Sequence, residues 1–175
     1  MTAAIRQFDA PSIRNHALEL AQVLARSVEN GASVSFMLPL SDEDAAAFWM
    51  RDVAPEVEAG RRILFAAELD GKIVGTVQLI TALSPNQPHR CEIAKMMVHP
   101  SARRKGLASA LMAAALDQAR DLGKTMVVLD TRTGSDAERL YASLGFATAG
   151  VIPDYAWDPD GGALHATTYM YNRLA

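Results

Sequence analysis

The sequence predicts an α/β protein (α+β by some schemes) with a central mixed, mostly antiparallel sheet of about seven strands and four flanking helices. Three observations carry this expectation. In the first third one segment repeats apolar residues at helical spacing and a second opens on an N-cap with acidic residues behind it, and Asp70-Gly71 joins two β-rich runs as a hairpin. A later strand, helix, strand succession requires a parallel crossover. The expected order is β-α-α-β-β-β-α-β-α-β-β, a single domain over residues 1–175 without repeat or linker.

Taken in order, a short strand over residues 4–8 comes first. Pro11 and Ser12 open a stretch in which Ala17, Leu20, Ala21, Leu24 and Val28 keep helical intervals up to Gly31, which predicts the first helix. Ser41, with Asp42, Glu43 and Asp44 behind it, is an N-cap followed by acidic groups that suit the positive end of a helix. This second helix should run to about Glu58. Residues 62–80 read as two strands turning at Asp70-Gly71, because both turn positions tolerate positive φ. Residues 84–89 hold two prolines and read as a loop, and residues 91–98 make a fourth strand that Pro100 stops. Residues 105–122 follow as a helix with Leu107, Leu111, Ala115, Leu116 and Ala119 turned inward, and Gly123 caps it before the buried run 125–130. A short helix over 135–144 ends at Gly145. Strands at about 146–152 and 163–173 complete the sheet and flank a loop at 153–165.

Half of the 175 residues are hydrophobic and about a fifth are charged, the balance of a chain that folds on its own core. A net charge of −3 gives no broad positive field for a phosphate polymer or an anionic lipid surface, so neither nucleic acid nor a membrane is an expected partner. There is no apolar signal core at the amino terminus and no run of ~18 apolar residues, which predicts neither export nor a membrane span. The single cysteine, Cys91, cannot form an internal disulfide and fits a reducing cytoplasm. Cys91, His16, His89, His99 and His165 lack metal-ligand spacing, so no metal is expected. Cys91 has no base beside it in sequence and reads as a strand residue, not a nucleophile.

Between the fourth strand and the third helix stands Arg103-Arg104-Lys105-Gly106-Leu107-Ala108, an R-x-x-G-x-A sequence on a strand-to-helix turn. A helix start bares backbone N–H groups that attract anions, and the small Gly106 and Ala108 let a pyrophosphate approach. Three adjacent cations add to that pull. Downstream, Ala137-Glu138-Arg139-Leu140-Tyr141, followed by Gly145-Phe146, sets a tyrosine on the short helix after the partner strand. In these two motifs, and in the element order from residue 4 to residue 173, the chain resembles the GNAT acetyltransferase superfamily.

The resemblance implies acetyl-CoA as cofactor and a fold splayed between strands 4 and 5. It implies that Arg103, Arg104, Lys105, Gly106, Leu107, Ala108 and Ser109 meet the CoA pyrophosphate. Met97, Val98, Gly134, Ser135 and Ala137 would lie along the pantetheine arm, and Tyr141 would face the sulfur. The superfamily's usual asparagine, three residues before the alanine of A-x-x-L-Y, is Gly134 here, so backbone or Ser135 contacts must replace it. The implied reaction is direct attack of an amine on the thioester, with a backbone N–H on the fourth strand meeting the developing oxyanion. A homodimer is also implied. Residues 31–37, the stretch from 129 to 135 and the stretch from 152 to 165 further resemble the tabtoxin-resistance group of this superfamily, which implies an amino-acid-like or β-lactam toxin-like small-molecule amine as acceptor.

An alkylamine with a pKa of about 10.4 is protonated at neutral pH, so a base must take its proton before attack. Two carboxylates are candidates. Glu92 opens the fourth strand about five residues from the thioester region, which at ~3.3 Å per residue calls for a bridging water. Asp130 ends the fifth strand, where a splayed sheet opens a cleft. The phenol of Tyr141 can return a proton to the departing thiolate. Lys95 alternates to the strand face opposite Glu92 and reads as structural. For the acceptor, Ser33, Phe36 and Met37 of one loop, Tyr155, Trp157, Asp158, Asp160 and His165 of the other, and Glu92 are the candidates, since aromatic and acidic groups suit an ammonium. A peptide or protein amine as acceptor, or a silent acyl-CoA-binding module, remain the alternatives. Closure of the two loops over the site would favour a small molecule.

Overall fold

The computed structural model describes residues 3–174. Strand β1 (Ala3–Phe8) leads into α1 (Ala10–Asn15), capped by Asp9, whose carboxylate accepts from the Ser12 N–H at 2.8 Å. The helix expected to continue to Gly31 instead bends at His16 and resumes as α2 (Ala17–Glu29). His16 has φ −107° and ψ 18°, outside the helical region. Its ring donates to the Ser12 carbonyl at 2.9 Å and packs on Phe8 with ring centroids 5.2 Å apart, which fixes the bend.

Ser41 caps α3 (Asp42–Phe48) as expected, its hydroxyl accepting from the Asp44 N–H. The segment does reach Glu58, but through a wide π turn, Trp49–Val53, into α4 (Ala54–Glu58). Pro55 has no N–H to give to residue 51, so the ladder loosens there. Strands β2 (Arg62–Leu69) and β3 (Lys72–Ile80) form the expected hairpin, with φ of 50° at Asp70 and 79° at Gly71.

Next come β4 (Arg90–Val98), a single turn Pro100–Ala102, α5 (Leu107–Asp121), β5 (Met126–Arg132), α6 (Asp136–Ser143), β6 (Ala147–Trp157) and β7 (Leu164–Arg173). Among the described residues the α-helices thus number six, because each of the first two expected helices is interrupted. Strand β6 outruns its expected end at 152. It is the outer strand of the sheet, so Pro153 withholds no N–H from a neighbour on the free side, and a register shift between Ile152 and Ala156 absorbs the irregularity. Tyr155 and Trp157 are therefore strand residues, not loop residues.

The sheet runs β1-β2-β3-β4-β5-β7-β6, antiparallel at every junction except β4–β5. Helix α5 covers one face through a core that includes Leu79, Cys91, Leu111, Met112 and Val127. Helices α1 to α4 cover the other face over the first strands, around Ile13, Leu20, Leu24, Trp49 and Leu64. Truncating one of these buried leucines to alanine removes about 2–5 kcal/mol.

Two irregularities position the site. Strands β4 and β5 pair only at Arg90↔Met126, Cys91↔Val127 and Glu92↔Val128, and then part. Just past the fork β4 bulges, with Ala94 opposite Gln78 and Met97 opposite Thr76, so that three steps on β4 match two on β3. Lys95 sits in this bulge with φ 50°, and the Thr76 hydroxyl donates to its carbonyl at 3.0 Å. The extra residue inverts the alternation. Before it, Cys91 and Ile93 face the α5 core; after it, Val98 faces that core and Met97 joins the opposite one.

Candidate active site

Where β4 and β5 diverge, three cavities share walls and form one trench. The first, about 370 Å³, lies between the end of α2, the far end of β4, the start of α5 and α6, and is walled by Asn30, Met97, Val98, Arg103, Ala108 and Leu140 among others. The second, about 230 Å³, sits at the bulge and includes Ser33, Lys95, Asp130 and Tyr141. These two share Gly31, Ala32, Met96, Ser135 and Ala137. The third, about 230 Å³, continues toward β6 past Ser35, Phe36, Met37, Arg132, Tyr155 and Trp157.

At the first end, α5 begins directly after Gly106, which has φ 77°. Nothing lies within 4 Å of where a Cβ on Gly106 would stand, so the approach to the bare N–H groups of the first turn is open. Arg103 wraps back, its Nε donating to the Val98 carbonyl at 3.3 Å, while Arg104 and Ser109 are exposed. Leu107 is a core residue, as are the side chains of Met97 and Val98, so these three can serve a ligand only through their backbones. Among the described residues no strand pairs with the β5-facing edge of β4 beyond Glu92, which leaves that backbone edge available. Gly134 gives its N–H to the Glu138 carboxylate, and the Ser135 hydroxyl caps α6 by accepting from the Glu138 N–H at 3.1 Å. Ser135 and Ala137 wall the trench; Gly134 stands behind it.

At the centre, Tyr141 is 5% exposed and packs on Phe146, with ring centroids 5.9 Å apart. Burial, and then the charge of Asp130, raise its phenol well above the ordinary value, so it keeps its proton. Asp130 is reachable from solvent within the cleft; desolvation by the cleft walls raises its pKa and the Lys95 cation pulls it back down. Glu92 is not brought into the three cavities. Its carboxylate binds the Arg90 guanidinium at 2.6 Å, beside the fork.

Lys95 corrects the expectation from strand alternation. The bulge turns it into the central cavity, with its ammonium 3.3 Å from the Ser35 hydroxyl and 5.8 Å from the Phe36 ring centre. Burial and the Arg62 charge lower its pKa, and Asp130 opposes them. Cys91 is fully buried in the α5 core, where desolvation pushes its thiol up to about 11, as fits a strand residue.

The acceptor-side loops are joined to each other. The His165 ring donates from Nδ1 to the Ala166 carbonyl, which leaves Nε2 to accept from the Ser33 hydroxyl at 2.9 Å. The Leu38 N–H donates to the Pro159 carbonyl at 2.7 Å, and Arg132 pairs with Asp158 at 2.5 Å. His165 is thus buried behind Ser33 and does not wall the trench. Asp160 bonds the Gly162 N–H within its own turn. Tyr155 shares a hydroxyl hydrogen bond with Tyr169 at 2.7 Å, which pushes Tyr169 up to about 12. Sequence reasoning also passed over Thr131 and Arg132 as site residues, since they carry no motif and join the cavity only through the fold; Ser35 lies within the 33–37 loop expected to meet the acceptor. Among the described residues no group of His, Cys, Asp and Glu side chains is placed to hold a metal, and no helix is long and apolar enough to cross a membrane.

Known proteins agree with this architecture. A sequence model of the acetyltransferase (GNAT) family matches residues 26–146. An uncharacterized N-acetyltransferase from the hisH-hisA intergenic region of Azospirillum brasilense is 31% identical over 147 residues, which is 79% of this chain and 83% of that protein. Human N-acetyltransferase 8 is 32% identical over 126 residues, 70% of this chain, and the chain spans only 55% of that relative's length. Among solved structures, yncA from Salmonella typhimurium with its cofactor acetyl-CoA superposes with a TM-score of 0.80 at 20% identity, covering 100% of this chain and 95% of that one. The ribosomal-protein-alanine N-acetyltransferase from Brucella melitensis gives 0.79 at 20% identity, covering 98% and 99%. At such identities the structures speak for the fold. Together with the sequence match, the parting of β4 from β5 above an anion-ready helix start shows that the chain belongs to the GNAT acetyltransferase family.

Proposed function

We propose that the protein transfers the acetyl group of acetyl-CoA to the primary amine of a small molecule, amino-acid-like or β-lactam toxin-like, by direct attack of the amine. The observation that carries this reading is the clasped trench, with an open helix N-terminus at one end and Asp130 and Tyr141 together at its centre. Bound acetyl-CoA supplies the activated acyl group and the thiol that leaves with it. The first turn of α5, from Gly106 to Ser109, would hold the pyrophosphate with Arg103 and Arg104 beside it. The backbone of β4 at Met97 and Val98 would align the pantetheine arm, with Ser135 and Ala137 opposite.

Asp130 would then accept a proton from the acceptor ammonium, the step that must precede attack. Tyr141, held protonated by burial, would give its proton to the leaving sulfur. Asp130 lines the cavity whereas Glu92 is tied to Arg90, which supports Asp130 over Glu92 as the base. The clasp of Ser33 on His165 and Leu38 on Pro159 ties the two loops together at the acceptor end of the trench, which supports a small acceptor over an extended peptide. Likeness to the tabtoxin-resistance group extends the reading to masking of a toxin's amine. We also read the protein as a homodimer, since outer strand β6 exposes Val151, Ile152 and Trp157, an apolar edge a second copy would cover, and as cytoplasmic from its single unpaired cysteine; light scattering tests the dimer.

A thiol-release screen with acetyl-CoA against small amines, amino acids and peptides tests the function. Release stimulated by small amines is the expected result. Acetylation of peptides alone would overturn the acceptor class, and CoA binding without any turnover would make the protein a binding module.

A further inference from the structure

We infer that Lys95 recognises an acidic group on the acceptor, so that the substrate is an amine that also carries a free carboxylate. The inference rests on the acetyltransferase reading above and narrows its acceptor. Lys95 reaches the central cavity only because β4 bulges there, and it holds a positive φ that lysine adopts rarely. Its ammonium is partly buried, yet its polar contact is the neutral Ser35 hydroxyl. Among the described residues no carboxylate lies within ion-pair distance of it. Glu92 and Asp158, acidic groups of the neighbouring elements, are committed elsewhere, Asp158 to Arg132 at 2.5 Å and Glu92 to Arg90 at 2.6 Å.

A charge drawn out of water without a partner is costly, and Arg62 adds repulsion. Asp130, across the fork on β5, attracts Lys95 from beyond contact. The cavity therefore sets an anion, Asp130, against an unpaired cation, Lys95, while Arg132, which also lines it, is already paired with Asp158. A zwitterion matches both, its ammonium toward Asp130 and its carboxylate toward Lys95. An amine without a carboxylate brings a further cation into the cavity with no anion to offset Lys95, so the same side chain selects for one class and against the other.

The test compares matched acceptors, alanine with ethylamine and lysine with 1,5-diaminopentane, by thiol release and by calorimetric binding to the CoA-saturated protein. The expected wild-type result is a preference in kcat/KM of about 10- to 100-fold for the carboxylate-bearing member of a pair, the size of one partly screened charge contact. Lys95→Met should lower kcat/KM for amino acids at least tenfold more than for the plain amines, mainly through KM, while Lys95→Arg keeps the preference. Acetyl-CoA binding by each variant checks that it is folded. Equal use of both members by the wild-type protein overturns the inference and leaves the acetyltransferase reading standing. An equal loss for both members in Lys95→Met reduces Lys95 to a structural residue. If no carboxylate-bearing probe reacts or binds while CoA does, the inference also falls; failure to bind CoA strikes the underlying reading instead.

Discussion

The two ends of the trench are assembled from the chain in opposite ways. The cofactor end is built largely from one continuous stretch, residues 97–109, in which a strand, a turn and a helix start follow each other. The acceptor end draws on residues 31–38, Lys95, residues 130–132 and strands β6 and β7, which meet only because the sheet order brings β7 between β5 and β6. On the proposed reading the first end would hold its ligand mainly with backbone N–H groups, which any sequence of small residues can present. The second uses side chains whose charges and contacts set one another. Substitutions at the first end should therefore act through binding alone, and those at the second through turnover, pH dependence and acceptor choice.

The largest effect is expected at Asp130. Asp130→Asn should lower turnover by about 100- to 10,000-fold, the span of a lost general base, with CoA affinity retained. Wild-type activity should fall as pH drops through the raised pKa of Asp130, because a protonated carboxyl cannot accept the amine's proton. Lys95 lowers that pKa, so Lys95→Met should move the acidic limb of a pH–rate profile to higher pH; a limb that stays put argues against Asp130 as the titrating group. Next in size, Tyr141→Phe should reduce turnover about 10- to 1000-fold while calorimetry finds CoA affinity little changed. Full turnover in this variant would remove the phenol as the acid.

Smaller effects separate the two ends further. Ala108→Asp places a negative charge where the pyrophosphate meets the helix start, and CoA affinity should fall about 10- to 100-fold with the thermal midpoint of the ligand-free protein unchanged. An unaffected CoA affinity would move the cofactor away from this turn. Smallest of all, Glu92→Gln should change turnover about threefold or less, since the carboxylate already serves Arg90. A loss equal to that of Asp130→Asn would reverse the choice of base.

The same contrast explains what could be read from the sequence. The Asp70-Gly71 turn, the Ser41 cap, the α5 periodicity and the R-x-x-G-x-A turn depend on neighbours in sequence, and the structure places each where local rules put it. The bend at His16 depends on Phe8 and Ser12, and the length of β6 on its having no outer neighbour, so neither follows from periodicity. Lys95 departs furthest from what its sequence predicts. Period-two alternation is a sound rule for a regular strand, and nothing within residues 90–98 announces that β3 pairs with them one residue short. His165 likewise gives no sign that its partner stands 132 residues earlier.

The bulge has a further consequence for chain length. If residue 95 were absent, Met96 would fall opposite Val77, and the side chains on both sides would keep the faces they now hold: Cys91, Ile93 and Val98 toward α5, Glu92, Ala94 and Met97 away from it. The sheet therefore does not need this residue, and a chain one residue shorter has a complete ladder available to it. Such a chain should melt no lower than the natural one and yet fail to turn over, because a regular β4 would lose the outward step beside the fork. Residue 95 is in this sense one that the ladder could spare and that the cleft, on the proposed reading, would need.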